Sequence, residues 1–285
     1  MRAPRDERRL RPRRARGGTA AWLAGAAIVA TVVAAYLFSE RPREPLPQRP
    51  PATPIQPQAT ESPRHPVAPA PTDPARPPVP PLHESDAVVG SVATDLVPPS
   101  ARDLLQTDDG LVRRWVISID ALTRARMPPR LSPVQRVPGE LIAGGAPDAP
   151  ILARDNYARY EPYLALAESI DPQAVASAYR WLYPLFQQAY TELVRPDGYF
   201  NDRLIEVIDH VLATPELPAE PALARSSGTY RLADPDLEAL SAGRKALLRM
   251  GPDNARRAKA VLARFRDELS SDSRTGVGAG VGNRQ

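Results

Sequence analysis

Three spacings of apolar and polar residues succeed one another along the chain. From Ala20 to Phe38 no residue is charged or proline, and Thr31 is the one aliphatic hydroxyl. At ~1.5 Å of rise per residue this run spans about 28 Å as a helix, close to the ~30 Å hydrocarbon core of a bilayer. Trp22 and Tyr36 stand near its ends, where amphipathic rings favour headgroup depth. The pattern predicts a transmembrane anchor over 19–39. From 41 to 82 no period survives, because sixteen of those 42 positions are proline. Proline lacks an N–H and fixes φ, so the expectation over 40–81 is a disordered Pro-rich linker of polyproline II character, reaching on the order of 130 Å when stretched. It reads equally as a reach across the envelope or as a spacer of no particular length. A third reading, the prolines as ligands of proline-binding domains, is the least expected outside the cytoplasm. From Leu82 to Leu269 the spacing is that of amphipathic helices, which predicts one helical domain over 82–270 and a disordered Gly- and Ser-rich tail over 271–285.

Within that domain the apolar period and the turn residues predict individual elements. Ser85 or Asp86 caps a helix carrying Val88, Val89, Val92, Leu96 and Val97, which Pro98 and Pro99 end. Asp108 or Asp109 caps a second helix through Leu111, Val112, Trp115, Val116, Ile119 and Leu122, closed by Met127, Pro128 and Pro129. Leu141-Ile142 and Ile151-Leu152 flank Gly144-Gly145-Ala146-Pro147-Asp148, the pattern of a small β-hairpin. Asp171-Pro172 opens a long helix that contains Pro184, where a kink is expected. A helix over 201–213 follows, then an extended piece at 229–232 that pairs with the hairpin, then helices opened by Asp234-Pro235 and by Pro252. Gly251 is the expected C′ residue before the last of them.

Charge changes the picture at the N-terminus. Residues 1–16 carry eight arginines against Asp6 and Glu7, a local charge of +6, which leaves −2 of the chain's net +4 for the remainder. Positive charge before the apolar run places a basic tail, 1–18, in the cytoplasm and the C-terminal domain on the other side of the membrane. A cleaved signal peptide is the competing reading; the apolar run is longer than a signal core, and no small-x-small site ends it. The globular part has no basic excess, so nucleic acid is not an expected partner. Cysteine is absent, which excludes disulfides, thiolate catalysis and cysteine-ligated metal.

Candidate chemistry is sparse. Asp202, Glu206 and His210 fall at i, i+4 and i+8, with Arg203 and Asp209 beside them, so carboxylates and an imidazole share one helical face. That face is read first as solvated, then as a binding surface, and only then as a proton-transfer site. With three histidines in the chain, two of them before residue 84, no multi-His metal site is expected, and no cofactor. Arg244, Lys245 and Arg249 are an anion-binding candidate or a neutralised helix end. Seven tyrosines lie between Tyr157 and Tyr199, suited to helix packing or to recognition. The binding residues expected are Tyr183, Gln187, Tyr190, Tyr199, Asn201, Asp202, Arg203, Glu206 and His210; no catalytic or metal residue is assigned.

Long runs also carry a resemblance. These are Leu111-Val112-Arg113-Arg114-Trp115-Val116, Asn156-Tyr157-Ala158-Arg159-Tyr160, Tyr183-Pro184-Leu185-Phe186-Gln187-Gln188-Ala189-Tyr190, Gly198 through His210, and Leu247-Leu248-Arg249-Met250-Gly251-Pro252. Over about residues 82–269 the chain resembles the bacterial domain-of-unknown-function family 3014, which implies an N-terminal anchor and a Pro-rich linker but brings no activity, cofactor or catalytic residue. The expected architecture is a single-pass inner-membrane protein, anchored through residues 20–38, with a mainly α domain and a small β-hairpin in the periplasm. The expected function is a non-enzymatic envelope interaction or scaffold protein, binding another protein or peptidoglycan. The alternative is an envelope hydrolase acting on peptidoglycan or peptide through Glu206, Asp209 and His210.

Overall fold

The computed structural model describes residues 62–68, 76–105, 109–127, 137–217, 220–226 and 229–278. The predicted anchor and basic tail lie outside these residues; among the described ones no helix is long and apolar enough to cross a membrane. The chain is mainly helical with two small antiparallel β-hairpins. Its order is helix α1 (Asp86–Leu96), helix α2 (Leu111–Ala121), strands β1 (Ala143–Ala146) and β2 (Ala149–Leu152), helices α3 (Glu161–Ser169), α4 (Pro172–Leu193) and α5 (Phe200–Leu212), strands β3 (Leu223–Ser226) and β4 (Thr229–Leu232), and helices α6 (Pro235–Glu238), α7 (Ala242–Arg249) and α8 (Pro252–Gly278).

Helix α4 is the centre. Asp171 caps it by accepting the Gln173 N–H, with Pro172 at the first helical position. It continues as one helix through Pro184 to Leu193. Its buried residues Tyr179, Phe186 and Tyr190 meet Phe200 of α5, with Phe186 and Phe200 stacked at 5.4 Å. Helices α2, α5 and α8 pack around α4. On the outer side Arg257 of α8 grips Glu161 and Glu168 of α3 together, and these bonds hold both carboxyls below their usual range.

The start of α2 differs from expectation. Its N-cap is Gly110, at φ +74°, and not Asp108 or Asp109. The Gly110 and Leu111 N–H groups donate to the two oxygens of Asp86, at 2.7 and 2.9 Å. Asp86 therefore caps the next helix and not its own, while Ser85 donates to the Leu82 carbonyl. Helix α2 also stops at Ala121, before the Met127-Pro128-Pro129 run. The reason lies across the domain: the carbonyls of Leu122 and Arg124 receive the N–H groups of Gly243 and Ala242 at 2.9 and 2.7 Å. Those are the orphan donors of the first turn of α7.

The first hairpin matches the prediction, with Ala143 opposite Leu152. Buried Asn156 ties it to the following turn by bonding both the N–H and the C=O of Ile142. The extended piece at 229–232 pairs with β3, Leu223 opposite Leu232, and not with the first hairpin. The two hairpins touch through an isolated bridge between Ile151 and Ala222. Together they cover a satellite core of Leu152, Leu223, Leu232 and Leu248.

Described structure continues on both sides of residues 82–270. Helix α8 runs to Gly278, into the stretch expected to be a disordered tail. At the other end, residues 62–68 and 76–81, expected as free linker, lie against the helices: Val67 and Val79 pack on the main core.

Candidate functional site

The nine predicted binding residues sit on α4, on α5 and in the turn between them, but they do not form one constellation. Gln187 and Tyr183 form the scaffold of that turn. The Gln187 Oε1 accepts the Phe200 N–H and the Tyr183 hydroxyl, both at 2.9 Å, and its Nε2 donates to the Gly198 carbonyl at 2.8 Å. One amide side chain thus satisfies the first orphan donor of α5, the Phe200 N–H, and ties it to the turn before it. Burial pushes the Tyr183 phenol up to about 12. Tyr190 is 4% exposed and belongs to the core. Tyr199, the N-cap residue of α5, is half-buried.

Arg203 is structural as well. It reaches α2, donating through Nε to Asp120 Oδ1 at 2.8 Å, through Nη2 to the Asp120 carbonyl at 3.2 Å and to Thr123 Oγ1 at 2.6 Å. Its Nη1 holds exposed Glu206 at 2.7 Å. Asp209 is taken by Arg266 of α8. His210 Nε2 lies 2.8 Å from Ser241 Oγ, and that hydroxyl is the N-cap of α7, accepting the Arg244 N–H. Burial, then the Arg244 and Arg203 charges, holds the His210 imidazole below its usual value. The acid and histidine positions that share a face in sequence thus turn to three different neighbours, and among the described residues no group of three or more His, Asp or Glu could hold a metal.

The anion candidate is spent in the same way. Arg244 Nε donates to the His210 carbonyl at 2.8 Å, Lys245 binds the carbonyl and carboxylate of Glu238, and Arg249 is buried. A shallow cavity between Tyr157, Leu217, Leu247, Leu248, Pro252 and Lys259 contains none of the predicted residues.

Asn201 and Asp202 do something else. Both are in the first turn of α5. The Tyr179 hydroxyl donates to Asn201 Oδ1 at 3.0 Å, so the amide nitrogen points the other way and donates to the carbonyl of His65 at 2.8 Å. Asp202 accepts two successive backbone N–H groups, Arg64 at 3.0 Å and His65 at 2.7 Å, on its two oxygens. The chain bends at those two residues. Further along α4, the Arg76 guanidinium lies 5.7 Å from the centre of the Trp181 ring and bonds Ser177 Oγ. The helical face read as a general binding surface therefore holds a piece of the Pro-rich stretch, through main-chain groups. Sequence reasoning placed Asn201 and Asp202 among the binding residues. Tyr179 was one of the seven tyrosines suited to packing or recognition but not one of the nine; Ser177 and Trp181 were missed, having no polar periodicity to mark them. Val67, Val79 and Arg76 were the available signals on the other side, as large side chains among small and prolyl ones.

No curated protein and no solved structure matches the chain. The sequence model of the family described as "Protein of unknown function (DUF3014)" matches residues 111–266, from the first residue of α2 into α8. That stretch contains Tyr179, Asn201 and Asp202 and excludes the segment they hold. More than half of the chain is covered, and the protein belongs to the DUF3014 family.

Proposed function

We infer that this protein is a non-enzymatic interaction or scaffold protein of the bacterial envelope. It is anchored in the inner membrane through residues 20–38, with its N-terminus cytoplasmic, and it displays the helical domain in the periplasm to bind another envelope protein or the wall. The anchor and its orientation rest on the uncharged run and the arginines before it. The observation that carries the interaction reading is the contact at α5: Asn201 and Asp202 hold a segment from outside the helical core by its backbone. Recognition by main-chain hydrogen bonds is how many peptide-binding surfaces gain affinity. The hydrolase alternative draws no comparable support, since Glu206, Asp209 and His210 are engaged by Arg203, Arg266 and Ser241 in the fold.

The test is in-cell crosslinking from a photoreactive residue at position 199, which is half-buried beside the contact; position 190 is unsuitable because it is core. One dominant crosslinked envelope protein is the expected result. Diffuse or absent crosslinks from folded protein refute the reading. In parallel, Glu206→Ala/His210→Ala is expected to leave the phenotype of the chain unchanged at permissive temperature.

A further inference from the structure

The geometry points to a peptide-recognition site at the start of α5 for a bent peptide segment that offers two successive main-chain N–H groups and the carbonyl after them, which the chain's own Pro63-Arg64-His65-Pro66 fills in cis. This deepens the interaction reading and rests on it for the existence of a partner at this face. Prolines 63 and 66 have no N–H, so Arg64 and His65 carry the only main-chain donors between them, and both donate to Asp202. Two successive N–H groups turned to one side make a small concavity for an anion; here the anion is the fixed carboxylate. The His65 carbonyl, between the second donor and the second proline, is met by Asn201. All three bonds go to the backbone of Arg64 and His65, and the Arg64 side chain is not used in them, so the site requires an N–H on two successive residues and the carbonyl after them, and tolerates their side chains. The reader is preorganised: Asn201 is 1% exposed and its amide is oriented by buried Tyr179. Val67 then follows Pro66 onto the apolar core.

The consequence is competition. A ligand segment joined to its receptor by a short stretch of chain has an effective concentration on the order of mM. Where the segment's own intrinsic Kd is about 100 μM, it masks the site about tenfold against any partner peptide. A partner peptide that presents the same two N–H groups and carbonyl binds by displacing residues 62–68, and the strap acts as an internal competitor.

The experiment uses the full chain purified in detergent and a fluorescent capped peptide, Ser-Pro-Arg-His-Pro-Val-Ala, the sequence of residues 62–68. Fluorescence anisotropy is read on the natural chain and on Arg64→Pro/His65→Pro, which removes both cis donors. The expected result is about tenfold tighter binding of the peptide to the prolyl chain, and at least tenfold loss when Asp202→Ala is added. A peptide carrying proline at both central positions is expected not to bind. This control leaves the protein unaltered and decides the matter even where Asp202→Ala fails to fold. Equal binding of the two peptides, or no gain in the prolyl chain, overturns the proposal. If that happens while the crosslink at position 199 still reports one partner, the cis-ligand inference falls and the interaction reading stands. Peptide binding as expected, with only diffuse crosslinks in cells, upholds the site and refutes the cellular reading.

Discussion

Replacing Arg203 by alanine tests whether this residue, expected from sequence to bind a partner, instead fastens α5 to α2. The Asp120 side chain is 7% exposed and that of Arg203 16%. Removing one member of a buried pair leaves the other desolvated without compensation, which costs about 3–5 kcal/mol in fully buried cases. Two features reduce that here. Arg124 also pairs with Asp120 from the solvent side, so the carboxylate is not orphaned. The pair is also near enough to the surface for water to reach the gap. Against this, the Thr123 hydroxyl and the Asp120 carbonyl lose a donor as well, each worth about 1 kcal/mol. The balance is a loss of about 2–3 kcal/mol. At roughly 2–4 °C per kcal/mol for a domain of this size, the melting temperature falls by about 5–10 °C. The assay is urea unfolding of the natural chain, Arg203→Ala, Asp120→Ala and the double variant, read by circular dichroism. The double-mutant cycle is expected to give a coupling of about 1–2 kcal/mol. A coupling below about 0.5 kcal/mol refutes the staple. Arg203→Lys is expected to recover less than half of the loss, because an ammonium cannot serve Asp120, Thr123 and Glu206 from one rigid fork.

Two further outcomes follow from the same structure. Gly251 has φ +88°, and a Cβ there would come within 2.6 Å of the Tyr157 ring; Gly251→Ala is expected to cost about 2–4 kcal/mol, from the left-handed backbone and the overlap together. In a Tyr157→Ala background it is expected to cost only about 1 kcal/mol, the backbone part, and an undiminished cost there shows that the overlap is not the cause. His210 has its pKa lowered in the fold, so below the unfolded value of about 6.5 the unfolded chain binds more protons. The contribution of His210 is therefore fully present above that pH, and it is lost as pH falls from there through the lower value of the folded state. Thermal melts from pH 8 to pH 5 are expected to show the natural chain losing more stability than His210→Gln; parallel curves count against it.

The local grammar of the helices was readable because its causes are local. Asp171-Pro172 and Asp234-Pro235 place a side-chain acceptor and a prolyl N1 at the same two positions, and both cap as the spacing implies. Gly251 follows α7 in the left-handed conformation that a local C′ glycine signals. Features that depend on a residue far away in sequence were not readable. Nothing near Gly110 says that Asp86, 24 positions earlier, supplies its acceptor. Nothing near Ala121 says that α7 will draw the next carbonyls out of the helical path. The strand β3 was missed because Leu-Ala-Arg-Ser has no alternation of its own and takes its conformation from pairing with β4.

Helix α5 shows why a polar face seen in sequence is a poor guide to chemistry. Its residues 202, 203, 206, 209 and 210 point outward by periodicity, yet all but exposed Glu206, which pairs with Arg203 of the same helix, meet a different element. Asp202 meets the Pro-rich segment, Arg203 meets α2, Asp209 meets α8 and His210 meets the cap of α7. A helix surrounded on this many sides spends its charges holding neighbours, and a charged residue so placed is removed from solution chemistry whatever its spacing suggests. The two positions in the first turn differ: Asp202 and the amide nitrogen of Asn201 reach main chain from outside the core, while buried Tyr179 holds the Asn201 oxygen. Function in this domain is therefore sought at the end of α5 and not along its face, and the variant pair that separates the two is Asp202→Ala, expected to change peptide binding with little loss of stability, against Arg203→Ala, expected to do the reverse.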